Sequence, residues 1–317
     1  MRTLNLLRRN VAPSDGATTS RPAALLRAAT HFLFWGLVLL VLLTPAWREG
    51  IWAWGPSVAW PTTSGREAPI GLLSALPFLF VLLWAAWRWK GAPGPWRWGP
   101  PLLTVPLLLL TGRLLVDLPL TPTWFTLTQL LGVALLWVGY LFFINQRPAW
   151  LWPLLFLVAV QGSVALAQFL LQGSVGLWWL GELALDPAVE GTSVVVARGI
   201  HWLRGYGLTA HPNFLGALLA TLLILLLPHF FALRAERRPL FVAGWVLGLL
   251  GLCVTFSRAA MLGFVVGSAV YLLGQWRDHP LLRRSLLLFV GTAGLALLVL
   301  APYYDLTLSR FLSLETP

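Results

Sequence analysis

Between Arg238 and Arg277 the chain holds one charged side chain, Arg258, with an uninterrupted apolar run on either side of it. Each run approaches the roughly 20 residues that an α-helix needs to cross about 30 Å of hydrocarbon. The pattern is general: over 317 residues, 58% are hydrophobic and 10% charged, against roughly 25% charged in soluble domains. Mean hydropathy is +0.78. The leucine runs lack the period of two that a membrane β-barrel requires. The composition therefore predicts an all-α, polytopic integral membrane bundle. The one cysteine, Cys253, lies inside an apolar run, which excludes a disulfide framework and suits a small packed hydrophobe.

Nine spans are predicted, over 30–46, 70–87, 100–116, 124–143, 150–171, 212–232, 240–255, 259–275 and 286–303. Pro101 and Pro106 interrupt the third, with Arg113 near its end. Thr255, Phe256, Ser257 and Arg258 alone separate the seventh from the eighth, predicting a tight antiparallel pair. Basic residues orient the spans. One side takes Arg2, Arg8, Arg9, Arg21 and Arg27, together with Arg88, Lys90, Arg97, Arg147, Arg234, Arg237, Arg238, Arg277, Arg283 and Arg284. The other takes Arg48, Arg66, Arg113, Arg198, Arg204, Arg258 and Arg310. The richer side, which holds the N-terminus, is expected in the cytoplasm. The net charge of +11 is then a topology signal at anionic headgroups, with membrane lipids and not nucleic acid as the partner.

This ordering divides the chain into a cytoplasmic N-terminal arm (1–29), a five-span bundle (30–171), an outer loop (172–211), four further spans with an outer serine–arginine turn (212–303), and the start of another outer loop (304–317). The arm spreads its basic residues ahead of the first apolar run, unlike a cleaved signal peptide, so the first span is expected to remain as an anchor. Trp52, Trp54 and Trp60 outside, and Trp87, Trp89, Trp96 and Trp98 inside, suit the headgroup layer. No repeat of the kind found in inverted-repeat transporters is evident.

Polar groups gather on the outer side. In WLRGYGLTAHPNFLGALLA, Gly205 and Gly207 permit unusual backbone angles. Pro212 restricts His211 to an extended conformation, and Asn213 suits a helix N-cap. Arg204 carries a five-donor fork that matches a phosphate or an acidic loop partner. Ser193–Leu203 reads equally as a short strand or a helix. In CVTFSRAAMLG, Ser257 is a candidate cap for the helix that Arg258 begins, and Ala259, Ala260 and Gly263 would let a neighbouring helix approach. A charge so close to the membrane is paired, snorkelled or functional. In APYYDLTLSRFLSLETP, Arg310 has Asp305 as a local partner. Convergence of Arg204, Arg258 and Arg310 would hold a lipid diphosphate by charge-assisted hydrogen bonds.

The segments RGYGLTAHPNFLGALLA (Arg204–Ala220), TFSRAAMLG (Thr255–Gly263) and, more weakly, LSRFLSL (Leu308–Leu314) resemble the O-antigen ligase and O-antigen polymerase superfamily of bacterial lipid-linked glycan transferases. The resemblance implies a helical enzyme of the inner membrane with a glycan on undecaprenyl diphosphate as donor. The acceptor would be lipid A–core for a ligase or another glycan for a polymerase. It implies no cofactor and no metal: arginines neutralise the leaving diphosphate. Arg204 and Arg258 correspond to the catalytic and substrate-binding arginines of the family. Arg310 resembles the arginine opening its large outer loop, and Asn213 lies in its HPN element. That loop carries a catalytic histidine in the family. None of this chain's five histidines matches it, since Pro317 falls where the loop should begin. His211 is the residue that would have to substitute, and a truncated reading frame is the other expectation. Rival readings are a flippase or transporter of lipid-linked glycans, with Gln161, Ser163 and Gln168 as its polar path, and a noncatalytic membrane partner or gene fragment.

Overall fold

In a computed structural model, described over residues 21–43, 58–61, 67–70, 76–90, 95–120, 124–230, 233–275 and 279–306, the chain forms a largely helical, multi-pass membrane-type bundle. Its helices are α1 (Arg21–Leu43), α2 (Leu76–Lys90), α3 (Pro101–Leu120), α4 (Trp124–Gln146), α5 (Leu151–Leu171), α6 (Pro212–Phe230), α7 (Arg238–Val254), α8 (Arg258–Gly274) and α9 (His279–Leu300). Two antiparallel hairpins lie between them, β1 (Val58–Pro61) with β2 (Glu67–Ile70), and β3 (Val194–Ala197) with β4 (Ile200–Leu203).

Each predicted span finds a helix among the described residues, but only six are long and apolar enough to cross a bilayer unaided: those containing 22–39, 101–120, 129–146, 151–171, 212–230 and 235–254. The apolar parts of α2, α8 and α9 are shorter. Several details differ from expectation: Ile70, predicted to open the second span, lies in β2, and α9 begins at His279 and not at 286. α1 begins at Arg21, so the end of the expected arm is already helical. α3 runs unbroken through Pro106 and Pro119. A membrane helix tolerates this because neighbouring helices and local readjustment satisfy the carbonyls a proline frees.

The core sits between α5, α6 and α7, where about half of each apolar window is buried, against 17% or less for α1, α3 and α4. Three glycines bring α5 and α7 together. A Cβ on Gly251 would stand 2.4 Å from the Gly162 Cα, one on Gly162 2.2 Å from the Leu247 carbonyl oxygen, and one on Gly248 2.1 Å from Val158 Cγ1. Bare backbones in contact maximise dispersion between helices when lipid offers no hydrophobic drive. Leu219, Leu223, Leu226, Phe241 and Trp245 fill the space around this contact, and the Trp245 indole N–H donates to the Leu223 carbonyl at 3.0 Å. A second cluster, Phe34, Phe80, Trp84 and Phe142, ties α1 and α2 to α4.

Candidate functional site: an arginine-tied corner and a cleft beside it

The loop between α5 and α6 folds back along α5 as far as its midpoint at Gln161 and is held there by buried amides. Gln161 and Gln168, both fully buried, point their oxygens at the backbone: Leu208 N–H donates to Gln161 Oε1 at 2.8 Å and Tyr206 N–H to Gln168 Oε1 at 3.0 Å. Gln168 Nε2 donates to the Gly207 carbonyl and to Glu182 Oε1. Glu182 in turn accepts from the backbone of Val175 and Leu177, and Gln172 Oε1 accepts from Leu203 N–H at 2.7 Å. Gln161 and Gln168 were read, together with Ser163, as a possible transport path. They are instead committed to holding the loop, because a buried amide must satisfy its donors and acceptors locally.

Both glycines of the RGYG element have a steric role. A Cβ on Gly205 would lie 2.8 Å from Val254 Cγ2. Gly207 adopts φ +58° with Gln161 Oε1 2.4 Å from where its Cβ would be. Upstream, Ser193–Leu203 resolves as strand: β3 and β4 pair Val194 with Leu203 and Ala197 with Ile200. Arg198 and Gly199 form the two-residue turn with φ +52° and +75°, the primed geometry suited to strand twist. Arg198 also forms an ion pair with Asp305. Asp305 was expected to pair with Arg310; Arg310 lies outside the described residues.

Arg204 is the centre of the corner. Its side chain faces inward, the residue is only 3% exposed, and its fork spans three segments. Nε donates to the Thr255 carbonyl, one terminal nitrogen to Ser193 Oγ and the other to Asn213 Oδ1, each at 2.7 Å. Next to it, Gly205 N–H donates to the Val254 carbonyl at 2.8 Å. The loop between α5 and α6, the start of α6 and the turn between α7 and α8 thus meet around one guanidinium. That turn is sharp because Phe256, after the α7 C-cap, takes a left-handed φ of +47°, usually left to glycine. Its ring packs on Phe169 at 5.6 Å, which holds it there.

The N-cap of α6 differs from expectation. Pro212 is its first helical residue and Asn213 the second, so His211 occupies the cap, and its Nδ1 accepts from the Asn213 N–H at 3.1 Å. Pro at the first helical position is the signal that places the cap one residue before it. Asn213 is left free to accept from Arg204. With Nδ1 accepting, neutral His211 carries its proton on Nε2. Burial first, and the charge of Arg204 second, lower its pKa from the ordinary 6.5. A depressed folded-state value means that the unfolded chain takes up protons first as pH falls. This contribution to stability is therefore present above about pH 6.5 and is lost as pH drops through the lower folded value. Thermal unfolding from pH 7.5 to pH 5 should show this loss in the wild type. His211→Asn, which caps without titrating, should show a shallower decline; parallel curves would remove His211 as the cause.

Arg258 contrasts with Arg204. It is exposed at the first position of α8, and among the described residues its guanidinium has no hydrogen-bond or ion-pair partner. Ser257 occupies the N-cap but makes no side-chain capping bond. A cation at a helix N-terminus opposes the macrodipole, and an anion bridging the guanidinium and the first-turn amides removes that conflict. Arg258, Ser257 and Asn213 form the polar mouth of a cleft of about 560 Å³ that continues between α6 and α8 along Ala217, Thr221, Ile224 and Gly263. From Asn213 to Ile224 the wall descends about 16 Å at 1.5 Å per residue. Ala260 approaches Gly216, whose added Cβ would be 2.8 Å away, whereas Gly263 faces open space. Of the small residues expected to seat a helix, then, Ala260 does so and Gly263 leaves room in the cleft. His211 is not on the cleft wall.

Sequence reasoning placed Arg204, Asn213 and Arg258 on one side, and the fold brings their segments together. It missed Ser193, Thr255 and Glu182 as partners. The spacing of Gln161, Gln168 and Gln172, seven and then four residues apart, puts all three on one helix face and was the available sign of a clamp. Compared with known protein families, curated proteins and solved structures, the chain matches none.

Proposed function

We propose that this protein binds a glycan carried on undecaprenyl diphosphate at the outer face of the bacterial cytoplasmic membrane, and that it serves glycan transfer of the O-antigen ligase or polymerase type. The observation that carries this reading is Arg258, without a partner among the described residues, at the start of α8 where Ser257 makes no side-chain capping bond, set at the mouth of a slot that runs between two helices. The polar mouth suits a diphosphate and the small-residue slot suits a polyprenyl tail. The motif resemblance at Arg204–Ala220 and Thr255–Gly263 supplies the class of donor.

The residues divide the work. Arg258 meets the diphosphate with a bidentate, charge-assisted fork. Asn213 gives its carbonyl oxygen to Arg204, which turns its two amide N–H donors to other acceptors, and it lines the cleft. Arg204 is a positioning residue that fixes Asn213 and the Thr255 turn together. In transfer, an acceptor hydroxyl oxygen bonds to the anomeric carbon. The carbon–oxygen bond to the diphosphate breaks, its electron pair leaves with the phosphate, and the acceptor proton passes to solvent. Charge growing on the leaving diphosphate is where a preplaced cation acts most strongly. His211 presents an Nε2–H donor while its Nδ1 caps α6, so it is suited to orienting an oxygen and not to taking a proton.

The test uses purified protein in lipid vesicles with an undecaprenyl-diphosphate-linked glycan, measuring donor affinity and transfer to lipid A–core or to a second glycan. Arg258→Lys should weaken donor binding about tenfold, since an ammonium cannot reproduce the fork. Unchanged affinity would remove Arg258 from the site. The acceptor that receives glycan separates ligase from polymerase.

A further inference from the structure

At the opposite end of the bundle, where α3 begins and α4 ends, a second cleft of about 550 Å³ is lined by Arg97, Trp98, Gly99, Phe143, Ile144 and Arg147, together with Pro100. Its rim is built. Asn145 clamps the Arg97 backbone from both sides, accepting its N–H through Oδ1 and donating Nδ2 to its carbonyl, each at 2.9 Å. The Trp98 carbonyl accepts from Tyr140 and Thr104. Gly99, at φ +86°, lies so close to Tyr140 that a Cβ would meet its hydroxyl at 2.0 Å.

The charge around this cleft is one-sided. No Asp or Glu occurs between Glu67 and Asp117 or between Asp117 and Glu182. Asp117 sits toward the far end of α3, paired with Arg113 at 2.9 Å. Among the described residues the Arg97 guanidinium has no hydrogen-bond or ion-pair partner. Beside the cleft, Leu102 and Leu103 of α3 and Phe143 of α4 are exposed. Trp98 is 61% exposed, and its amphipathic ring suits the boundary between headgroup and acyl chain.

We infer that this cleft is a binding site for an anionic glycerophospholipid, with Arg97 and Arg147 flanking its phosphate and Trp98, Phe143 and the α3 leucines covering its acyl chains. In the orientation proposed above it lies in the cytoplasmic leaflet, where basic residues meet anionic lipid. It is independent of glycan transfer.

Native mass spectrometry of the protein taken from mixed phosphatidylglycerol and phosphatidylcholine nanodiscs tests the assignment. The wild type should retain phosphatidylglycerol in preference to phosphatidylcholine. Arg97→Gln with Arg147→Gln should cut that preference about tenfold. Arg234→Gln with Arg237→Gln, which removes equal charge at the same end but outside the cleft, should change it less than about twofold. Arg97→Lys with Arg147→Lys should hold it within about threefold of the wild type. If the glutamine pair fails to fold, Arg97→Gln alone, which leaves both backbone bonds to Asn145 intact, carries the same comparison. Unchanged retention in the glutamine variant overturns the site, as does equal loss in both glutamine pairs or equal loss in the lysine pair. Displacement of the lipid by millimolar inorganic phosphate would make the ligand a free anion and overturn it too.

Discussion

Arg204→Ala is expected to destabilise the protein by about 2–4 kcal/mol and, under the proposed function, to abolish donor binding as a consequence of lost geometry. The size follows from unequal exposure of the three acceptors that the guanidinium serves. Thr255 is fully buried, so its carbonyl loses its partner where water does not reach, a cost of about 1–3 kcal/mol. Ser193 is half-buried and Asn213 exposed, so both can recover bonds to water and cost less. Removing a buried cation recovers part of its desolvation penalty, which keeps the total below a simple sum. Arg204→Lys should fall nearly as far, because one ammonium cannot serve acceptors on three segments. Unfolding monitored in detergent by temperature or denaturant measures the change. An Arg204→Ala protein of wild-type stability that merely binds donor poorly would instead make Arg204 a direct ligand and overturn its positioning role.

That prediction marks the limit of what the sequence discloses. Apolar runs locate helices well, because a segment that must satisfy its own backbone has few alternatives to a helix. They also place Arg204 and Arg258 on one side, since topology depends only on the order of spans. They do not give the direction of a side chain. Two arginines at similar junctions have opposite fates: Arg204 turns inward onto three acceptors, and Arg258 stands at a cleft. Only the packed corner, with Gly205 against Val254 and the left-handed Phe256, decides between them. Gln161 and Gln168 illustrate the same limit. A polar residue inside a span means a conduit or a clamp, and the choice depends on whether a loop folds back to meet it. The cap of α6 was readable, because Pro212 at the first helical position implies His211 before it. The partners of Asn213 were not readable, since they come from a residue nine positions away.

The contact beneath the corner is the most sensitive point of the fold. Gly162→Val is expected to destabilise the protein by more than about 4 kcal/mol, at the upper end of single-residue effects. A Cβ at Gly162 would stand 2.2 Å from the Leu247 carbonyl oxygen, 2.7 Å from its carbonyl carbon and 2.9 Å from Gly248 Cα. Unbonded carbon atoms rest at about 3.5–4.0 Å, and all three obstacles are backbone, so no rotamer relieves the clash and α5 must move away from α7. The displacement would spread. Gln161 adjoins Gly162 and holds Leu208, while α7 leads into Val254 and Thr255, which hold Gly205 and Arg204. Separating the helices pulls the clamp from one side of the corner and the turn from the other, so the proposed donor binding should be lost with stability. Gly139→Ala on α4, where an added Cβ meets nothing within 4 Å, should be neutral or stabilise by up to about 1 kcal/mol through helix propensity. Unfolding curves for the two variants separate backbone contact from the general cost of replacing a glycine. A mild Gly162→Val effect would show that α5 and α7 do not meet through bare backbone, and the corner above them would lose its foundation.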